Sequence, residues 1–305
     1  MEEKVIKAYK GFNADLTCRD FQYEVGKEYE IKGDIECCNN GFHACRSPLD
    51  VFGYYLLDKD CNLARFCEVE QSGKIDTRER YDTNVASSKI KIKAEIKFAD
   101  FIKLGVEWIK EKVADKSTDK KLISDNGGYY AKIGSSGDSA QIGSSGYYAK
   151  IGSSGYYAKI GSSGDSTKIG SSGYYAKIGS SGDSTKIGSS GDSAQIGSSG
   201  YYAKIGSSGD SAQIGSSGDS AQIGSSGYYA QINSTGEDSV ICCAGHNSIV
   251  KAKQGSWITL AEWEYNKEKD RSVPKNVVTK YVDGVGIKAD TWYKLIDGVF
   301  TEVEP

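Results

Sequence analysis

The chain carries none of the short signatures that mark common catalytic or nucleotide-binding sites. Its 305 residues contain no Gly-x-Gly-x-x-Gly, no Walker sequence, no Gly-x-Ser-x-Gly and no His-Glu-x-x-His. The usual phosphate cradles, the nucleophile elbow and the helical zinc-protease site are therefore excluded, and no cofactor is implied. An excess of charge of one sign is also missing: 38 Lys and Arg face 41 Asp and Glu, leaving −3 at pH 7. That balance implies no gross electrostatic partner, and over 129–236 seven Lys against six Asp leave +1, which argues against an acidic DNA mimic and equally against a basic groove that tracks phosphates. No run of eighteen apolar residues exists, and the start, Met1 to Lys7, lacks the apolar stretch of an export signal. A cytoplasmic protein without membrane contact is expected. In that compartment the eight cysteines are expected to be reduced thiols.

What the chain has instead is repetition. From Tyr129 to Gly236 one nonapeptide recurs twelve times, as Tyr-Tyr-Ala-Lys-Ile-Gly-Ser-Ser-Gly or as Asp-Ser-Ala-Gln-Ile-Gly-Ser-Ser-Gly with small exchanges. Ile holds the fifth position throughout, and the third is only Ala or Thr. In Tyr147-Tyr148-Ala149-Lys150-Ile151 the residues Ala149 and Ile151 share one face of a strand, while Tyr148 and Lys150 share the other. Gly152-Ser153-Ser154-Gly155 reads as a corner in which glycine takes positive φ. A fixed apolar ladder beside tolerant polar ladders predicts a β-solenoid. A flexible Gly/Ser linker would not need Ile and Ala at constant phase. Two coil geometries fit: two-sided, with two nonapeptides to a turn, or three-sided, with three. A core of Ile and Ala alone is thin, which favours two sides.

The fold class expected is mainly β, in four parts: an α+β domain over 1–113, a polar connector over 114–128, the solenoid over 129–245 and a β-rich cap over 246–305. In the first part, Ser47 reads as an N-cap with Pro48 opening a helix through Leu56. Residues 65–70 and 89–96 alternate like strands, and Phe101, Leu104, Trp108 and Val113 mark an amphipathic helix. The unit starting at Glu237 is degenerate, with Cys242 and Cys243 standing for the corner serines. Trp257, Leu260 and Trp263 are expected to plug the end of the coil, and Trp292 to lie in a core. Asp283-Gly284 and Asp297-Gly298 read as hairpin turns.

Candidate functional residues fall into three groups. The outward Tyr148, Lys150, Tyr175, Lys177, Tyr202 and Lys204 form a repetitive surface for a protein partner. Cys37, Cys38, His43 and Cys45 place three thiols and an imidazole within nine residues, which could ligate zinc. Their spacing differs from paired Cys-x-x-Cys knuckles, and buried thiols with a turn-bonding His43 is the plainer reading. The order Gly-Phe-His, helix, Glu-containing strand loosely parallels ADP-ribosyltransferase folds, casting His43 as a ribose contact and Glu68 or Glu70 as the acid.

Lys7-Ala8-Tyr9-Lys10-Gly11-Phe12, Thr17 to Lys27, and Gly41-Phe42-His43-Ala44-Cys45 with Pro48-Leu49-Asp50 resemble a domain of unknown function found in phage and mobile-element proteins. Gly255 to Trp263 and Lys288 to Tyr293 resemble the tail module that accompanies it. The resemblance implies a mobile-element setting and no activity. The reading that follows is a non-catalytic binding or scaffold protein whose target could be a host defence protein. Homodimerisation through strand ends or Tyr-rich walls is compatible with it. The alternatives are an enzyme centred on His43, and a structural particle component, for which no fibre or coiled-coil signature is found.

Overall fold

The computed structural model describes residues 5–58, 62–78, 83–114, 122–125 and 129–305. Each nonapeptide supplies one four-residue strand, such as Lys150–Ser153, and each strand pairs in parallel with those two units before and after it. Ile151 lies between Ile133 and Ile169 on one sheet, and Ile160 between Ile142 and Ile178 on the other. The coil is therefore two-sided, a β-solenoid of about seven turns over 132–260. Isoleucines from both sheets form a single core with small neighbours, a thickness these side chains can close-pack.

The position of the strand within the unit differs from expectation. Hydrogen-bonded strands comprise Lys/Gln-Ile-Gly-Ser, so half of the presumed glycine corner is strand, and the two Tyr, or Asp-Ser, form the turn. In every unit the second residue, Tyr or Ser, takes φ between 54° and 63°, and none of the array glycines has positive φ. The closing glycine has another purpose. A Cβ on Gly191 would sit 2.1 Å from the Gly173 carbonyl oxygen one turn earlier, so its missing side chain lets successive turns stack. Three residues per unit face inward rather than two, because Ser180, Ser198 and their equivalents are buried beside Ala and Ile.

Asp and Tyr units tie corner to corner in different ways. Each repeat aspartate accepts a hydrogen bond from the backbone N–H one turn on, as Asp183 does from Tyr201 at 2.8 Å and Asp192 from Asp210 at 2.9 Å. Where Tyr follows Tyr, the rings stack instead: Tyr130 on Tyr148 at 5.2 Å and Tyr157 on Tyr175 at 5.1 Å.

The coil runs past both expected boundaries. Leu122–Asp125, within the stretch read as connector, pairs with Gln141–Ser144. Most of the rest of that connector lies outside the described residues. Ile249–Ala252 and the start of Trp257–Asn266, within the stretch read as cap, add two further parallel strands. Cys242 aligns with Gly224 and Cys243 with Ser225, so the first replaces a strand glycine and only the second a serine. On the outer edge of the two added strands the pairing turns antiparallel, Trp257–Asn266 with Arg271–Tyr281 in one sheet and Ile249–Ala252 with Tyr293–Ile296, then Val299–Glu302, in the other. That change of direction ends the repeat ladder and limits further stacking.

The expected turn at Asp297-Gly298 joins the last two strands, both residues at positive φ. Asp283-Gly284 does not join paired strands. Asp283 instead accepts hydrogen bonds from the N–H groups of Val285, Gly286 and Ile287. Trp292 is buried as expected, whereas Trp257 is half exposed and lies against Tyr281, because its register continues the outward lysine column. Trp263 donates its indole N–H to the Ala244 carbonyl at 2.8 Å.

Within the cap, Glu262 accepts from Asn276, the Gly298 N–H and Lys275. The Asn276 bond, followed by the Gly298 and Lys275 bonds, pulls its carboxyl down to about 2. A depressed carboxyl stabilises the fold above its unfolded value and loses that contribution as pH falls through the folded one. The cap is accordingly expected to loosen between roughly pH 4.3 and pH 2, and Glu262→Gln to flatten that dependence in acid titrations followed by tryptophan fluorescence.

The N-terminal domain is a strongly curved antiparallel sheet. Ile6–Phe12, Arg65–Arg78, Asn84–Ile96 and Phe42–Cys45 pair in sequence, and the Tyr9–Cys45 pairing closes the ring. Helix α1 (Pro48–Val51) is shorter than expected, and Ser47 makes no side-chain cap hydrogen bond. Helix α2 spans Phe98–Ala114. The domain lies on one sheet of the solenoid, with α2 along the coil axis over Leu122–Asp125, Gln141–Ser144, Lys159–Ser162 and Lys177–Ser180. Leu49, Phe52, Phe101 and Ile102 form one buried cluster with Ile249 and Trp292 of the solenoid end. One sheet is thus covered by the domain. The opposite sheet is open.

Candidate functional site: the open face of the solenoid

The residues singled out in the N-terminal domain are engaged in holding the fold. His43 Nε2 accepts the Cys38 N–H at 2.9 Å, and Lys10 donates to the His43 carbonyl at 2.9 Å. Burial, then the positive charge of Lys10, lowers the His43 pKa, so a neutral imidazole serves this turn. Cys37 Sγ donates to the Asp76 carbonyl at 3.2 Å, and Cys45 is buried in the ring closure. No group of three or more His, Cys, Asp or Glu that could hold a metal occurs among the described residues. Glu68 pairs with Lys7 at 2.8 Å and Glu70 with Lys93 at 2.9 Å. The three candidate parts of a transferase site are thus occupied separately. Burial pushes the Cys67 and Cys243 thiols up to about 12, which removes thiolate character near neutrality.

The six outward solenoid residues divide between the two faces. Tyr148, Lys150, Tyr202 and Lys204 belong to units feeding the open sheet. Tyr175 and Lys177 belong to the covered side, where they line a cleft of about 530 Å³ beside Gly53 and Tyr54. There Lys177 also donates to the Asp50 carbonyl at 3.4 Å.

The choice between Lys and Gln at the fourth position follows the faces. On the covered sheet the column reads Gln141, Lys159, Lys177, Gln195, Gln213 and Gln231. Both lysines lie at Asp50: Lys159 is ion-paired with its carboxylate, both groups buried, and Lys177 bonds its carbonyl. The second Asp50 oxygen accepts from the Thr83 N–H and hydroxyl, each at 2.8 Å. Asp50 escapes sequence reasoning, since nothing local to Pro48-Leu49-Asp50 says that a lysine far along the chain will meet it.

On the open sheet the same column reads Lys132, Lys150, Lys168, Lys186 and Lys204, then Gln222, Val240 and Trp257. All five lysines are exposed, and none is in an ion pair among the described residues. At the usual strand spacing of about 4.8 Å they span roughly 19 Å. Ammonium groups held at that spacing would repel by up to about 0.9 kcal/mol per neighbouring pair in water. Beside them runs a shallow open trough of about 1050 Å³, floored by Gly134, Gly152, Gly170, Gly188, Gly206 and Gly224 and edged by serines. Lys132, Lys168 and Lys186 escape the sequence-level choice of site residues because the two-unit phase that aligns them is one of two that the repeat allows.

The domain of unknown function DUF7666 matches residues 6–104. No curated protein and no solved structure matches the chain. The match covers the curved sheet, α1 and the start of α2, and leaves the solenoid outside it. No helix among the described residues is long and apolar enough to cross a membrane.

Proposed function

We propose that this protein is a non-catalytic scaffold whose open solenoid face docks a partner protein, in a phage or mobile-element setting. The observation that carries this reading is the asymmetry of the rod. One face is occupied by the chain's own domain through a buried ion pair and an aromatic cluster. The other presents a ladder of exposed lysines beside an open trough. The residues with chemical potential in the N-terminal domain, His43, Glu68 and Glu70, are tied into structural bonds. That supports docking over catalysis.

The test uses two glycines where a side chain costs nothing sterically. An added Cβ at Gly170 or Gly206 meets no atom within 4 Å, and Val suits an exposed strand position. The variant Gly170→Val/Gly206→Val is expected to keep the wild-type circular dichroism and melting profile while losing partners captured by the wild-type chain. His43→Ala is expected to leave capture unchanged. Retention of a nucleotide by the wild-type chain, abolished by His43→Ala, would overturn the scaffold reading in favour of an enzyme.

A further inference from the structure

The covered face shows what a face of this rod accepts. Its glycine column carries an α-helix lying along the coil axis: α2 crosses four successive strands, Phe98 packs over Gly197 and α1's Leu49 over Gly179. Of the two lysines flanking that column, Lys159 pairs with the Asp50 carboxylate and Lys177 donates to the Asp50 backbone carbonyl, and Gln takes their place elsewhere. The open face has an equivalent glycine column and a longer lysine ladder, with no ion pair to those lysines and no helix packed on it among the described residues. Resting on the docking reading, we propose that the open face binds an α-helix of a partner protein that presents a stripe of Asp and Glu to Lys132, Lys150, Lys168, Lys186 and Lys204.

Spacing selects the helix among anionic partners. Turns of the solenoid repeat every ~4.8 Å, and an α-helix laid along the axis repeats every ~5.4 Å. Carboxylates at i, i+4, i+7 and i+11 would drift from the lysines by only about 0.6 Å per turn, within reach of a flexible lysine stem. An extended peptide parallel to the axis presents same-face side chains only every ~6.6 Å, and falls out of register after two lysines. The glycine floor removes the side chains that would hold a helix backbone away. The repeat aspartates form no ion pair with the ladder, each turning a carboxylate oxygen to a backbone N–H along the corners.

The ladder has a conservative replacement supplied by the repeat itself. Lys150→Gln/Lys168→Gln/Lys186→Gln substitutes the residue already found at Gln222, so the fold is expected to persist. The probe is a labelled helical peptide with Glu at i, i+4, i+7 and i+11 and an apolar neighbouring stripe, followed by fluorescence anisotropy. Controls are its Lys counterpart and a single-stranded oligonucleotide of equal charge. The acidic peptide is expected to bind the full chain. The triple Gln variant should weaken it about tenfold, as three exposed charge pairs imply, high salt should weaken it comparably, and Gly170→Val/Gly206→Val should abolish it. Two outcomes overturn the inference: binding of the acidic peptide unaffected by the triple variant, or tighter binding of the oligonucleotide. If the peptide fails on the wild-type chain while Gly170→Val/Gly206→Val still eliminates a captured partner, docking stands and the acidic helix does not. If neither probe nor captured partner responds to the glycine variant, both fall.

Discussion

Asp50→Ala is expected to destabilise the folded chain by about 3–5 kcal/mol, the cost of leaving a buried charge unpaired. Lys159 is only 3% exposed and has its carboxylate partner in Asp50. The truncation also removes the acceptor of the Thr83 N–H and hydroxyl, tying α1 to the start of Asn84–Ile96. Two elements, the curved sheet and the solenoid, are held through this one carboxylate and the aromatic cluster around Phe52 and Phe101. The urea midpoint should fall accordingly. The double variant Asp50→Ala/Lys159→Gln should recover much of the loss, because Gln is the residue the repeat uses at Gln141 and Gln195 on the same sheet. A single variant that loses less than about 1 kcal/mol, the range of an exposed pair, would show that the pair is not what fastens the domain.

The second large effect concerns glycines that look interchangeable. Gly191→Ala is expected to cost several kcal/mol, about 3 or more, while Gly206→Ala is expected to be neutral or slightly stabilising. At Gly191 the new methyl would approach the Gly173 carbonyl oxygen to 2.1 Å and its carbon to 2.5 Å. Neither is a flexible side chain, so successive turns must separate, and bonds such as Ser190 N–H to the Ser171 carbonyl at 2.9 Å stretch. At Gly206 nothing lies within 4 Å, and alanine reduces the conformational freedom of the unfolded chain. Thermal melts of the two variants beside wild type test this directly. Equal melting temperatures would mean that the turns are not stacked as tightly as the closing glycines require.

That contrast also marks how far the sequence can be read. The inward Ala149 and Ile151 and the outward Tyr148 and Lys150 follow from strand alternation, and the structure places them so. The strand's position within the nonapeptide does not follow. Gly-Ser-Ser-Gly has the composition of a corner, yet half of it is strand, since the turn is made by Tyr or Ser at positive φ. Composition points to glycine wherever positive φ is needed, but here glycine is needed for close approach of backbones. The inward serines, such as Ser198, are hidden for the same reason.

In the N-terminal domain the strands at 65–70 and 89–96 are legible from alternation, as is α2 from its apolar spacing. The closure of the sheet through Tyr9 and Cys45 is not, because long-range pairing leaves no local periodicity. His43, Glu68 and Glu70 stand out by type, and only their partners, Cys38, Lys7 and Lys93, show what occupies them.

By itself, the sequence determined that a nine-residue unit with invariant Ile would stack into a β-solenoid between two unlike end regions. A repeat of fixed phase has few other ways to bury its apolar ladder. Only the tertiary structure decided which residues meet across turns and which face stays free. The two-unit period sorts five lysines onto one sheet, and the docking of the N-terminal domain on the other leaves that sheet exposed. Those choices depend on contacts between residues far apart in the chain, such as Asp50 and Lys159, and local pattern carries no record of them.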